Sequence, residues 1–439
     1  MPSAALVESS TLGPLVAGVG VPLAVPPPEL VLVLVDTSAS SPAQAIADDK
    51  ASKHAGLWRR HRSMVHYIHT CDARGATVDS ETLQSPGSGG VHRGPPPGVA
   101  HKGPRVHPAS QAKRSMGKLV DGKWHDVWYD TAQSKGRYQR KDASFRSWVT
   151  PDGSAGPSGG AGFAAERGRY HLYVSLACPW AHRTLIFRKL KGLEDMISVS
   201  TVNHFMGPKG WTFDAAPGPL ADTANGTRLL YEVYLKADDR YTGRVTVPVL
   251  WDKAGSTIVS NESGEIIRML NSAFDGVGAS AGDYYPPALR SEIDAVNARV
   301  YPTLNNGVYK CGFATTQEAY AESFTALFET MDWLDERLSR QRYLCGDTIT
   351  EADWRLFTTL IRFDSVYFGH FKVNRRRLAD YEHLWAYTRE LYQVPGVAAT
   401  VNMHHIQHHY YGSHPTVNPS RIVPLGPAID FDEPHGRAL

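Results

Sequence analysis

What most constrains the fold of this chain is one junction. The apolar and aromatic run Tyr170-His171-Leu172-Tyr173-Val174 reads as a short strand. Ser175-Leu176-Ala177-Cys178-Pro179-Trp180-Ala181-His182-Arg183 follows at once, and a helical run extends from Thr184 to Leu190. A cysteine between a strand and a helix meets backbone N–H groups that have no helical partner, at the positive end of the helix dipole. That placement is expected to lower the thiol pKa and supply thiolate at neutral pH. Pro179 suits the first helical turn, where a missing N–H costs nothing. Alanine stands at 181, where a Cys-x-x-Cys motif carries its second cysteine. A mixed disulfide at Cys178 must therefore be resolved by an outside thiol. The same local pattern also suits a cysteine merely buried at a helix start, and the junction alone does not choose between them.

With 439 residues the chain can hold two ordinary domains and more. A net charge of +2 gives no electrostatic case for nucleic acid or an anionic membrane as partner. Cys71, Cys178, Cys311 and Cys345 are few and far apart. They form neither a disulfide framework nor zinc spacing, which fits a reducing compartment, the cytoplasm. Residues 1–115 are rich in Ala, Pro, Ser and Gly, carry Pro26-Pro27-Pro28 and Pro95-Pro96-Pro97, and show no sustained period, so disorder is expected. The apolar run Leu30 to Val35 is too short to span a bilayer, and no basic start marks a secretory signal. Trp58-Arg59-Arg60-His61-Arg62 is basic but comes late, after Asp48 and Asp49, which spoils a transit-peptide reading.

Residues 116–168 read as an arm with Trp124, Trp128 and Tyr129, whose aromatics suit either surface staples or a structured contact. Residues 169–275 read as a βαβ…ββα unit, with a second strand from Ile197 to Asn203. The long polar stretch from His204 to Tyr241 is expected to be a functional loop. Val245 to Trp251 is strand-like, but Pro248 does not belong inside a central strand. Thr257 to Val259 is a further short strand, and Glu262 with Ser263 begins a helix, where hydroxyl and N–H groups can cap the helix or hold a carboxylate. Residues 284–439 read as all-helical. Tyr320, Phe324, Leu327, Phe328, Met331 and Leu334 mark one face of a helix over Glu318–Arg337, and Thr350-Glu351-Ala352-Asp353 is a capping box. Near the end, His404 and His408, or His405 and His409, share a helix face. No carboxylate or cysteine lies near them in sequence, and no metal site is expected.

Cys178-Pro179-Trp180-Ala181-His182-Arg183 resembles the active-site motif of glutathionyl-hydroquinone reductases, the Xi class of glutathione transferases. Met116-Gly117-Lys118-Leu119-Val120-Asp121-Gly122-Lys123-Trp124 resembles the beginning of a bacterial member, which makes Met116 the expected natural start. The histidine-rich tail and Asn418-Pro419-Ser420-Arg421-Ile422-Val423-Pro424 resemble the family's C-terminal segment. The resemblance implies an α/β thioredoxin-like N-terminal domain followed by an all-α domain, the glutathione transferase fold, in a homodimer. It implies glutathione as co-substrate, with Trp211 and Arg228 packing and pairing, Val247 before a cis Pro248 offering its backbone, and Glu262 with Ser263 at the γ-glutamyl end. It makes Cys178 the nucleophile and Tyr309 and Tyr410 the tyrosines of the hydroquinone pocket, with Tyr411 the competing choice. The implied reaction reduces glutathionyl-hydroquinones through a Cys178–glutathione mixed disulfide and yields glutathione disulfide. An omega-like thioltransferase or dehydroascorbate reductase would use the same cysteine, and a non-catalytic binding module of this fold would need none.

Overall fold

The structure, a computed structural model, describes residues 117–437 apart from 161, 215–217 and 219. The readings of residues 1–115, Cys71 among them, lie outside the described residues. The site rests on a four-stranded sheet. Strand β5 (Tyr170–Val174) is buried along its whole length, as a continuous apolar run covered on both faces should be. It pairs in parallel with β6 (Ile197–Thr201) and antiparallel with β8 (Val249–Asp252), which pairs antiparallel with β9 (Thr257–Ser260), in the order β6-β5-β8-β9. Parallel neighbours need a crossover, and α1 (Pro179–Leu190) supplies it. Helix α3 (Ser263–Ser272) packs beside α1.

Two local readings change. The polar stretch from His204 to Tyr241 is not all loop: it contains α2 (Leu230–Ala237), which buries Leu230, Val233 and Tyr234 at helical spacing. Glu232 caps it by accepting from the backbone N–H groups of Arg228 and Leu229. Upstream, the Asp222 carboxylate gathers the backbone N–H groups of Ala224, Asn225 and Thr227 and the hydroxyls of Thr227 and Tyr173. The run Val245–Trp251 is likewise not one strand. Pro248, without an N–H, marks the break, and the ladder begins after it at Val249. The Val247–Pro248 peptide is cis.

In the arm, β1 (Lys118–Val120) and β2 (Lys123–His125) form a hairpin, and β1 also pairs with β7 (Gly243–Arg244). The connecting Asp121-Gly122 pair has φ of 47° and 71°, the two positive values a tight hairpin turn requires. A side chain at 122 would also strike the Asp239 carbonyl. Strands β3 (Trp148–Thr150) and β4 (Gly162–Ala164) form a separate parallel pair. Trp124 fastens the hairpin: its indole N–H donates to the Pro208 carbonyl at 2.9 Å and its ring stacks on Tyr231.

The rest is helical: α4 (Arg290–Val300), α5 (Gly307–Gly312), α6 (Gln317–Leu338), α7 (Glu351–Leu360), α8 (Phe368–His370), α9 (Glu382–Tyr392) and α10 (Met403–Ser413). Wider π turns occupy Tyr301–Asn305 and Phe363–Tyr367. Helix α6 buries Leu327, Phe328, Met331 and Leu334, the face its spacing marks. The capping-box aspartate does more than cap. Buried Asp353 accepts from the N–H groups of Thr350 and Leu344 and from the Tyr387 hydroxyl, tying α7 to α9. Arg362 binds helical and sheet regions together. Its guanidinium donates to the carbonyls of Ala177, Leu176 and Thr358 and to His182 Nδ1, directly beneath the Cys178 junction.

Candidate active site

Cys178 is the N-cap of α1, with extended backbone at φ −77° and ψ 123°. Its Sγ lies 3.6 Å from the Val247 carbonyl, so the thiol donates across to the loop that ends in Pro248. The N–H groups of Ala181 and Trp180 and the guanidiniums of Arg362 and Arg140 all favour thiolate, as the junction predicts. Burial outweighs them and pushes the thiol above its ordinary value, against the sequence expectation. Two N–H dipoles and two guanidiniums cannot be weighed without the walls around the thiol, and the walls come from elsewhere in the chain. Cys311 and Cys345 are buried and pushed up to about 12, while Cys178 alone of the three described cysteines is partly exposed.

Cys178 opens on a cavity of about 700 Å³. Trp211, Val247, Glu262, Ser263, Tyr309 and Tyr410 line it too, drawn from five separated stretches of chain. Arg228 does not. Its backbone is used in the loop, donating to Glu232 and accepting from Phe213, while its side chain is exposed. The arginines in the lining are Arg140 and Arg244. Glu262 is the N-cap of α3, its carboxylate accepting from Gly264 N–H at 2.9 Å. Behind Ser263 stands buried Arg183, 3.4 Å from the hydroxyl, so a cation and a helix N-terminus underlie the same spot. Trp211 is buried and stacks on His409, whose Nδ1 bonds the His204 carbonyl.

The opposite wall is aromatic. The hydroxyls of Tyr309 and Tyr410 are hydrogen-bonded to each other, and Tyr367 reaches the Tyr410 hydroxyl at 3.1 Å. Burial holds Tyr309 and Tyr410 well above the ordinary phenol range, so both keep their protons at neutral pH. Tyr411 turns away toward the Ser365 carbonyl and is absent from the lining. Trp180 packs on Tyr309 with ring centroids 4.9 Å apart. The arm divides its aromatics between both roles read for it: Trp124 is a staple, while Trp128, Tyr129 and Tyr138 line the cavity. Sequence reasoning missed Arg140 and Arg244, for which no local motif exists. The rings of His404 and His408 lie tilted against each other with centroids 3.8 Å apart, with His204 and His405 nearby. Among the described residues no group of three or more His, Cys, Asp or Glu is arranged to hold a metal ion.

A thioredoxin-like sheet with its cysteine at the first helix start, followed by a helical half that completes the cavity, defines a glutathione transferase. Family models agree: the glutathione S-transferase N-terminal domain matches residues 177–273 and the C-terminal domain residues 317–390. Glutathionyl-hydroquinone reductase YqjG of Escherichia coli is 59% identical over 323 residues, covering 73% of this chain and 98% of its own length. Glutathionyl-hydroquinone reductase PcpF of Sphingobium chlorophenolicum is 58% identical over 313 residues, 71% of this chain and 97% of its own. The glutathione-bound structure of YqjG superimposes with a TM-score of 0.68 at 56% identity, over 73% of this chain and 99% of that one. The chain belongs to the glutathionyl-hydroquinone reductase family of glutathione transferases.

Proposed function

We propose that this protein reduces glutathionyl-hydroquinones to hydroquinones with glutathione as co-substrate. The observation that carries the reading is the pairing, across one cavity, of a lone helix-cap cysteine with two hydrogen-bonded, protonated tyrosines. The γ-glutamyl end of the conjugate sits at Glu262 and Ser263, its peptide runs along the Val247 backbone, and Trp211 packs beside it. Arg244 already lines the cavity; Arg228 meets a glutathione carboxylate only by turning its side chain inward.

Cys178 thiolate attacks the conjugate's sulfur. An S–S bond forms, the sulfur–ring bond breaks, and the ring carbon that held sulfur carries hydrogen instead. Tyr309 and Tyr410 are the proton donors at the ring. The thiolate of a second glutathione then attacks the glutathione sulfur of the mixed disulfide, releasing Cys178 and glutathione disulfide. We assign the protein to the cytoplasm as a homodimer, in keeping with the free state of the three described cysteines. Among the described residues no helix is long and apolar enough to cross a membrane.

The test is turnover of glutathionyl-menadiol with glutathione by wild type and Cys178→Ala. Hydroquinone release and glutathione disulfide formation, both lost in the variant, are expected. Activity confined to mixed disulfides or dehydroascorbate would replace this reading with an omega-like thioltransferase.

A further inference from the structure

The arm carries a cation into the aryl end of the cavity. Arg140 is half-buried, and its guanidinium carbon lies 3.9 Å from the Trp180 ring centroid, 5.3 Å from that of Tyr309 and 5.8 Å from that of Tyr138. Its Nε–H donates to the Asn306 side-chain oxygen at 3.2 Å. Asp130, Asp142 and Glu262 also line the cavity, yet no carboxylate among the described residues forms an ion pair with Arg140. A guanidinium is charged at every relevant pH, and removing it from water without a counter-ion is unfavourable. Here it lies over an indole ring, with no hydrogen bond from its two terminal nitrogens to a described protein partner, beside the cysteine and the tyrosine pair. That arrangement fits a site waiting for an anion on an aromatic ligand.

We propose that Arg140 binds the ring oxygen of the hydroquinone and holds it as the phenolate when the sulfur–carbon bond breaks. The proposal rests on the reductase reading above and adds to it a residue for the leaving group. In the reacting conjugate the tyrosine pair has moved one proton from a ring hydroxyl to the sulfur-bearing carbon, leaving a ketone at that oxygen. Cys178 thiolate attacks the sulfur, and the Cys178–glutathione S–S bond forms as the S–C bond breaks. The electron pair of the broken bond passes into the ring and restores its aromaticity. The charge ends on the former ketone oxygen, beside Arg140, and water later protonates it. No oxidant or reductant beyond glutathione is needed. The class of substrate favoured is one whose phenol is acidic, or one that already carries an anionic ring substituent.

Two readouts test this, one of them independent of turnover. The first is the ionisation of 4-nitrophenol bound to the protein in the presence of glutathione, read from its visible phenolate band. Wild type is expected to lower the bound phenol's pKa by about one unit or more, Arg140→Lys to keep much of that shift, and Arg140→Gln to abolish it. The second is kcat for glutathionyl-hydroquinones of graded phenol acidity. Arg140→Gln is expected to lower kcat by about 100-fold, most for the least acidic phenols, with the KM for glutathione unchanged. An equal phenol shift in wild type and Arg140→Gln would overturn the proposal. So would an equal loss on every substrate whatever its phenol acidity, which would mean that Arg140 acts only through the Cys178 thiolate it already favours. If wild type turned over no conjugate, the reductase reading would fail while the phenol shift still reported on Arg140.

Discussion

At Cys178 two opposing influences meet at one atom, and their balance sets the enzyme's pH behaviour. Helix-start N–H groups and two guanidiniums pull the thiol toward ionisation, and burial pushes harder the other way. The ligand-free protein is therefore expected to react slowly with iodoacetamide at neutral pH and faster through the alkaline range. Measuring the alkylation rate against pH checks this: the inflection is expected above the ordinary thiol value, whereas an inflection well below it would restore the simple helix-dipole picture. The two neighbouring tyrosines make a second residue-level comparison. Tyr410→Phe removes a hydroxyl from the cavity and its bonds to Tyr309 and Tyr367, and is expected to lower kcat by about 10- to 100-fold. Tyr411→Phe breaks a long contact to Ser365 and a bond with the His370 backbone, both outside the cavity, and is expected to stay near wild type. Steady-state kinetics on one conjugate separates them. Val247 entered through the family resemblance, whereas Cys178, Glu262 and Ser263 were legible in the sequence because each sits at a local junction that its own neighbours announce. Arg140 was not, because nothing near it in sequence says that it will lie on Trp180.

Among the elements, the clearest lesson is α2. Eight residues with three buried positions leave little periodic signal, and the polar loop around them hid it. Its start is set by short-range polar bonds, Asp222 to Thr227 and Glu232 to Arg228, which leave no apolar period to read. The longer α6 and the capping box of α7 were readable because their patterns are local and repeated. That box also fixes how the helical half is stitched. Asp353→Ala leaves two N–H groups and the hydroxyls of Thr350 and Tyr387 buried without their acceptor. It is expected to destabilise the protein by about 3 kcal/mol, checked by urea unfolding. A loss below about 1 kcal/mol would mean that water or a neighbour replaces the carboxylate easily.

For the molecule as a whole, buried histidines set the acid limit. Burial lowers His171 to about 4, His370 to about 3 and His409 to about 4, from an ordinary 6.5. These groups stay neutral in the folded protein while the unfolded chain takes up protons below about 6.5. The stability they contribute is fully present above that value and is lost as pH falls toward their folded pKa values. Each contributes up to about 1.4 kcal/mol of lost stability per pH unit across that window. Urea midpoints are expected to be level near about pH 8 and to fall steeply below about pH 6, before most carboxylates titrate. His171→Gln should flatten that fall; an unchanged slope would mean that His171 does not contribute. The hairpin arm has a consequence of another kind. It is pinned by Trp124, and the stretch that follows brings Trp128, Tyr138 and Arg140 into the cavity, with the Arg140 guanidinium over the Trp180 ring in the first turn of α1. A stretch outside the sheet thus reaches both the cavity and the start of the cysteine's own helix. An arm grafted from a relative should therefore change ring preference and the rate of thiol attack together, so new specificities in such proteins can arise by trading one segment outside the sheet.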